Sequence, residues 1–364
     1  MSQKRMLKVT PEHFFFVFYL LVTSAKAMGF AASEGMFLTI LSLLSYLFVL
    51  IKFLYEKWTL KETVLVYFLL MLGIIIWFFS KRAGIMISIA TIVAAKNINI
   101  KKMFIYSYRI RVIGFVLVVI FSYMGIMPMN GVFRYDDGIL NERFGLGYGH
   151  PNMLFASFFI IFVIYMYIHF NELKIIHYLV WGVLSICVYR ISFTRTGMVV
   201  MGITMFLCIM LKISKIERWS RMFVPYTSWL FSLVSILGGI LVYKSELVAA
   251  LSELMSGRLV GTYLYMKQYP LTLFGTTFEE SSFFLDNGYI KMLYQSGIIV
   301  FCLFNVGMFL VLKKYSKENK TAEILMILAF LIYGISEEFM SNIFMNVSLI
   351  FLSDIVFGQK SKQC

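Results

Sequence analysis

Long apolar runs, interrupted by short polar segments, dominate the chain. They fall at 14–30, 36–54, 62–80, 83–95, 110–127, 152–168, 175–193, 196–211, 223–243, 288–312, 322–336 and 342–357. A helix needs about 20 apolar residues to cross a hydrocarbon core, and most of these runs approach that length. The run at 83–95 is short, and polar Glu337, Glu338, Ser341 and Asn342 separate the last pair. The pattern predicts an all-α fold, a polytopic transmembrane helical bundle of about 10–12 spans, with boundaries good to roughly 2–4 residues. Strands of an outer-membrane barrel would alternate polar and apolar residues over about 10 positions, and such stretches are few. The first run follows MSQKRMLKVTPEH without a small-residue cleavage site, so it reads as a retained helix rather than a signal peptide.

Two longer segments separate the runs, 128–150 and 244–287. A connection as long as the second is usually functional. It is partly apolar, which predicts short helical structure at the membrane surface. No internal repeat divides the chain, so residues 1–364 read as a single integral membrane domain.

Composition narrows the class. Hydrophobic residues make up 60% and charged residues 14% of the chain, and the mean hydropathy is +0.83. Soluble domains carry roughly 25% charged residues. A soluble enzyme, a nucleic-acid-binding module, a secreted disulfide scaffold and a disordered chain are thereby excluded. The net charge of +14 fits cytoplasmic loops that collect Lys and Arg better than a nucleic-acid partner. Four cysteines without paired spacing predict neither a disulfide framework nor a zinc site.

Basic residues also set the orientation. With the N-terminus in the cytoplasm, the inner segments hold Lys4, Arg5, Lys52, Lys57, Lys96, Lys101, Lys102, Arg109, Arg111, Lys212, Lys215, Arg218, Lys313, Lys314, Lys317 and Lys320, among others. Roughly two thirds of the basic residues then lie inside, the expected bias. Both termini are predicted cytoplasmic, with 128–150 and 244–287 on the extracytoplasmic side of a multi-pass protein of the cytoplasmic membrane.

The outer side should be poor in arginine, yet Arg134, Arg143, Arg190, Arg195 and Arg258 fall on or near it. Arg190 and Arg195 flank the turn in YRISFTRTG. They are either snorkelling anchors or anion ligands, because the guanidinium fork grips phosphate in a bidentate way. Arg195 starts a helix, where free backbone N–H groups favour an anion, with Thr194 or Thr196 as its cap. In FGLGYGHPN, Pro151 suits a first helical turn. His150 either marks that helix start or serves as a base or hydrogen-bond donor. Asp286 leads directly into an apolar run, either as its N-cap or as a general base. Glu279 and Glu280 read as solvated, and Glu337 or Glu338 as partners for an outer arginine, since an unpaired charge there is costly. The adjacent Asp136 and Asp137 point apart, which is not a metal pair, so no metal or other cofactor is expected.

GYGHPNML at 147–154, SFTRTGM at 192–198, SGRLVGTYLYMKQYPLTLFGTTF at 256–278, LDNGYIKMLYQSGII at 285–299 and ISEEFMSNIFMNVSL at 335–349 occur in this order. From about residue 130 onward the chain thereby resembles the Wzy-type oligosaccharide repeat-unit polymerases, members of the O-antigen ligase/polymerase superfamily of integral membrane glycosyltransferases. The resemblance implies capsule or exopolysaccharide synthesis at the outer face of the membrane, by joining repeat units carried on undecaprenyl diphosphate. It implies Arg195 and Arg258 as ligands of the lipid diphosphate; Arg190, Asn152 and Asn287 are further candidates for binding substrate. It places Asp286-Asn287 where relatives carry an acid or histidine followed by Asn, so Asp286 is the implied base and His150 the alternative. Implied partners are the lipid-linked oligosaccharide, membrane lipid, and flippase and chain-length regulator proteins. The competing functions are a flippase for the same lipid-linked oligosaccharide and a polysaccharide ligase.

Overall fold

A computed structural model describes residues 10–29, 36–136, 139–213, 222–255, 257–278 and 285–358. Glu279, Glu280 and Asp137 lie outside the described residues. The chain is all-α, with 76% of it helical. In chain order the helices are α1 (Pro11–Ala27), α2 (Met36–Tyr55), α3 (Leu60–Ser80), α4 (Gly84–Ala94), α5 (Ile100–Tyr123), α6 (Pro151–Ile168), α7 (Ile175–Ser192) and α8 (Arg195–Lys212). They continue with α9 (Thr227–Leu241), α10 (Glu246–Leu254), α11 (Arg258–Gln268), α12 (Gly288–Glu318), α13 (Thr321–Tyr333) and α14 (Ser353–Val356).

Among the described residues, seven helices are long and apolar enough to cross a membrane, namely α3, α5, α6, α7, α8, α12 and the stretch Val224–Leu241 that contains α9. Four shorter apolar stretches accompany them: Leu43–Tyr55, Gly84–Ala94, Thr321–Tyr333 and Val347–Val356. These properties are those of a multi-pass membrane protein. Local signals start several helices. Thr59 caps α3 and Glu62 reaches back to the Thr59 N–H at 2.7 Å, a capping box. Asn99 caps α5 by accepting from Lys102 N at 2.9 Å.

Apolar side chains cover the outside of the bundle as well as filling its core. Large apolar side chains such as Leu60, Val64, Phe68 and Phe78 on α3, and Ile175 and Val183 on α7, face outward. Lipid can cover such faces at no hydrophobic penalty. At the centre stands α6, packed by α5, α7, α8 and α13. Its apolar window is 72% buried, against 17% for α7.

Two regions depart from the sequence expectation and one agrees with it. Segment 128–150, expected as a loop, contains an antiparallel hairpin of β1 (Gly131–Asp136) and β2 (Ile139–Phe144), with Gly131 opposite Phe144. Segment 244–287 contains short helices as expected, α10 and α11. The predicted last pair of spans is corrected most: α13 stops at Tyr333, and 3-10 turns and irregular backbone run to α14. Polar side chains in that stretch take backbone partners that a helix would use. Asn346 Nδ2 donates to Met340 O at 3.0 Å, Phe344 N donates to Asn342 Oδ1 at 3.0 Å, and Ser88 Oγ on α4 donates to Ser341 O at 2.6 Å. This competition is why Ser and Asn disfavour helix interiors. Irregular backbone at such depth persists because it is enclosed by protein, and residues 343–345 and 347–351 are buried.

Candidate functional site

The N-terminal ends of α6, α8, α11 and α12 meet near the C-terminal end of α13. Arg258 is the residue that ties them. It opens α11, after Gly257, whose φ of 78° lies in the left-handed region that glycine enters without strain. Its Nε stands 3.3 Å from Asp286 Oδ2, and Nη2 stands 3.3 Å from Glu337 Oε1. Nη1 donates to Thr196 Oγ1 of α8 at 3.0 Å and to the Ser336 carbonyl. The Arg258 side chain is 9% exposed, Glu337 6% and Asp286 31%. Of the two acids, only Asp286 has substantial access to solvent.

Backbone packing aims Asp286 at this arginine. Gly288 N donates to Gly334 O at 2.8 Å, and a side chain at Gly288 would collide with Met340 and the Glu337 backbone. The start of α12 is thereby pressed onto the turn after α13. The expected N-cap is also corrected: Asn287, not Asp286, caps α12, its Oδ1 accepting from Tyr289 N and Ile290 N at 3.1 Å each. Asp286 is one residue outside the helix and is left for Arg258. Asn287 is buried, and its Nδ2 has no hydrogen-bond partner.

A second arginine fastens the neighbouring ends. Arg143 on β2 is buried; its Nε donates to Ser192 O at 2.8 Å and its Nη2 to Asn152 Oδ1 at 2.7 Å. Asn152 therefore uses its carboxamide oxygen to hold the hairpin to α6. Thr194 Oγ1 lies 3.4 Å from that same oxygen. Thr194 occupies the N-cap position of α8 without a side-chain capping bond, and Thr196 turns to Arg258 instead. The expected threonine cap is absent because both hydroxyls have these other partners.

His150 is the N-cap of α6, with Pro151 in the first turn. Its Nδ1 accepts from Asn152 N at 3.1 Å. A backbone N–H can only donate, so Nδ1 is unprotonated and a neutral ring carries its proton on Nε2. Such a ring offers a donor at Nε2, not a base. Partial burial and the Arg143 guanidinium hold the His150 pKa below its ordinary 6.5; Asp286 opposes them and Arg258 adds to them.

Arg190 and Arg195 are exposed, at the end of α7 and the start of α8. The arrangement thus brings Asp286, Arg258, His150 and Asn152 into one cluster and leaves Arg190 and Arg195 at its surface. Sequence reasoning under-weighted Arg143, whereas the expected pairing of Glu337 with an arginine is present, to Arg258. Glu337 carries a readable signal, an ionisable residue closing an apolar run, but its partner is 79 residues away. Comparison with known protein families, with curated proteins and with solved structures finds no match for this chain.

Proposed function

We propose that this protein is a membrane-embedded glycosyltransferase that uses a lipid-diphosphate-linked glycan as donor. Within that class it is a polymerase, joining undecaprenyl-diphosphate-linked repeat units on the outer side of the cytoplasmic membrane. One observation carries the reading: four helix N-termini converge on an arginine whose partner, Asp286, retains access to solvent. Helix N-termini and guanidinium groups favour an anion, and a carboxylate beside them can accept a proton.

In the proposed reaction, an acceptor hydroxyl oxygen bonds to the donor anomeric carbon. The bond from that carbon to the diphosphate oxygen breaks, and the lipid diphosphate leaves with the electron pair. The hydroxyl proton passes to Asp286. Exposed Arg195 and Arg190 meet the leaving diphosphate, and the His150 Nε2 proton is available to an oxygen of the sugar or phosphate. Arg258, whose N–H groups already have protein partners, holds Asp286 in place. The assignment of Arg258 thus moves from phosphate ligand to holder of the base.

A second reading, a flippase for the same lipid, draws on Arg111. This residue lies midway along α5, is buried, and donates to Phe344 O at 2.6 Å. A polar group at such depth is a common mark of a substrate path. Purified protein supplied with lipid-linked repeat units in liposomes separates the two. The polymerase reading expects ladders of longer glycan, abolished by Asp286→Asn. Movement of single units across the bilayer without any ladder would replace it with the flippase.

A further inference from the structure

Arg258 brings one positive charge to two carboxyl groups, and the two are not equivalent. Asp286 sits at the solvent side of the guanidinium, while Glu337 is 5% exposed and enclosed by Ser336, Tyr333 and the start of α12. If both acids were ionised, the cluster would carry a net negative charge with its inner member cut off from water. Burying an ionised carboxylate is costly unless it is fully paired. Glu337 has only a share of Arg258, at 3.3 Å from one nitrogen.

We propose that Glu337 is a positioning residue that works in its protonated form, fixing the Arg258 guanidinium against Asp286 so that Asp286 alone carries the negative charge. The inference rests on reading Asp286 as the base of the glycosyl transfer. A neutral carboxyl still accepts from Nη2 through Oε1, so it can hold the plane of the guanidinium without competing for its charge. Arg258 is then anchored from three directions, by Thr196, by the Ser336 carbonyl and by Glu337. Its Nε stays directed at Asp286.

The electrostatics agree. Burial pushes the Glu337 carboxyl up to about 8; Arg258 opposes the rise, and Asp286 and Glu338 add to it. Those three groups and the Tyr333 hydroxyl at the end of α13 are the titratable groups facing Glu337. Glu338 is itself paired with Lys291 of α12. His150, across the cluster on α6, faces Asp286 and Arg258. Below about pH 8 Glu337 is neutral in the folded protein. Above it, Glu337 ionises and draws the guanidinium away from Asp286.

The test uses the full-length protein and two substitutions. Glu337→Gln is a permanently neutral isostere. It should polymerise within a few-fold of wild type at neutral pH, and its activity should persist above pH 8, where wild type declines. Glu337→Ala removes the anchor and should cost on the order of 100-fold, the effect of a small misplacement at a reacting centre. Infrared spectroscopy supplies a readout that needs no activity. Wild type at pH 7 should show a buried protonated-carboxyl band that is missing from Glu337→Gln and fades in wild type above pH 8. A folded but inactive Glu337→Gln, or identical carboxyl bands in the two proteins, would overturn the proposal. Wild type that shows the band yet makes no polymer would remove the glycosyl-transfer reading and leave the protonation of Glu337 standing.

Discussion

The two ends of the bundle handle charge in opposite ways. At the end formed by the start of α5 and the neighbouring turns, lysines and acids are matched. Lys52 pairs with Glu56 at 2.8 Å and also donates to Lys96 O, while Lys96 pairs with Glu62 at 2.9 Å and donates to Lys57 O. Each of these two cations has its own carboxylate. At the other end, Arg258 is shared between two carboxyl groups, Asp286 and Glu337. Matched pairs have little reason to change their ionisation, so they serve as fasteners. An unmatched cluster is held close to a change of charge, which suits proton transfer. The matched end also borders a cavity of about 1020 Å³ lined by Lys101, Lys102, Glu323 and Asp354 among others.

The sharpest way to break this comparison is to cut a fastener. Lys52 is fully buried, and the Glu56 side chain is 7% exposed. Lys52→Met strands that carboxylate and should cost about 3–5 kcal/mol of stability. Asn97 still donates to Glu56 Oε1 at 2.7 Å, which keeps the cost toward the lower figure. Thermal unfolding in detergent should show a large fall, with polymerisation per folded molecule unchanged. A stable but inactive Lys52→Met would mean that the matched end takes part in the reaction.

Arg258→Lys should do the reverse. Lysine keeps the charge but cannot present three nitrogens in one plane to Asp286, Glu337 and Thr196. Losing one charge-assisted contact costs roughly 1.5–3 kcal/mol, or about 10- to 150-fold if the loss is felt in the transition state. Activity measured against the amount of folded protein should fall by that factor. Wild-type polymer from this variant would make Arg258 a fastener like Lys52.

Much of this organisation was legible from hydropathy, for a physical reason. Helices α3, α6, α7 and α8 match their apolar runs within a few residues, because a helix long enough to cross a hydrocarbon core must be apolar over its whole length, whether lipid or protein covers it. Residues 334–352 were not legible in that way. Their apolar content records burial, which enclosed irregular backbone needs as much as a helix does. The clue lay instead in Ser341, Asn342 and Asn346, whose side chains hydrogen-bond to nearby backbone. At the site, residue identities were readable but roles were not. Asp286 and Asn287 are adjacent, and only geometry decides which of them caps α12. The hairpin escaped notice because Arg143 and its partners, Asn152 and Ser192, come together only in the folded chain.

Arg111 tests whether the irregular segment depends on a single contact. Its Nη2 holds Phe344 O, and its Nε donates to Ser107 Oγ at 3.3 Å. Arg111→Met leaves the carbonyl without that donor and should cost about 1–3 kcal/mol. Because Ser336 and Glu337 begin the same segment, activity should fall together with thermal stability. Normal transfer by a destabilised Arg111→Met would show that Ser88 and Asn346 suffice to hold the site end in register.

The smallest expected effect concerns His150 and pH. Its pKa is held below 6.5 in the folded protein, so the unfolded chain binds the proton more readily. Stability linked to this group is therefore fully present above the ordinary value, and it is lost as pH falls from there through the lowered folded value. The structural cause is the cap: protonation of Nδ1 removes the acceptor for Asn152 N. His150→Asn would offer a carboxamide oxygen to the same N–H at every pH, and Asn is among the best N-cap residues. The variant should start α6 normally and flatten the acid limb of the stability profile, while losing the Nε2–H donor. If that donor touches substrate, activity should drop at all pH values although stability at low pH rises. An unchanged acid limb would mean that the ring titrates without serving as the cap. Unchanged activity would remove His150 from the site and leave it as the start of a helix.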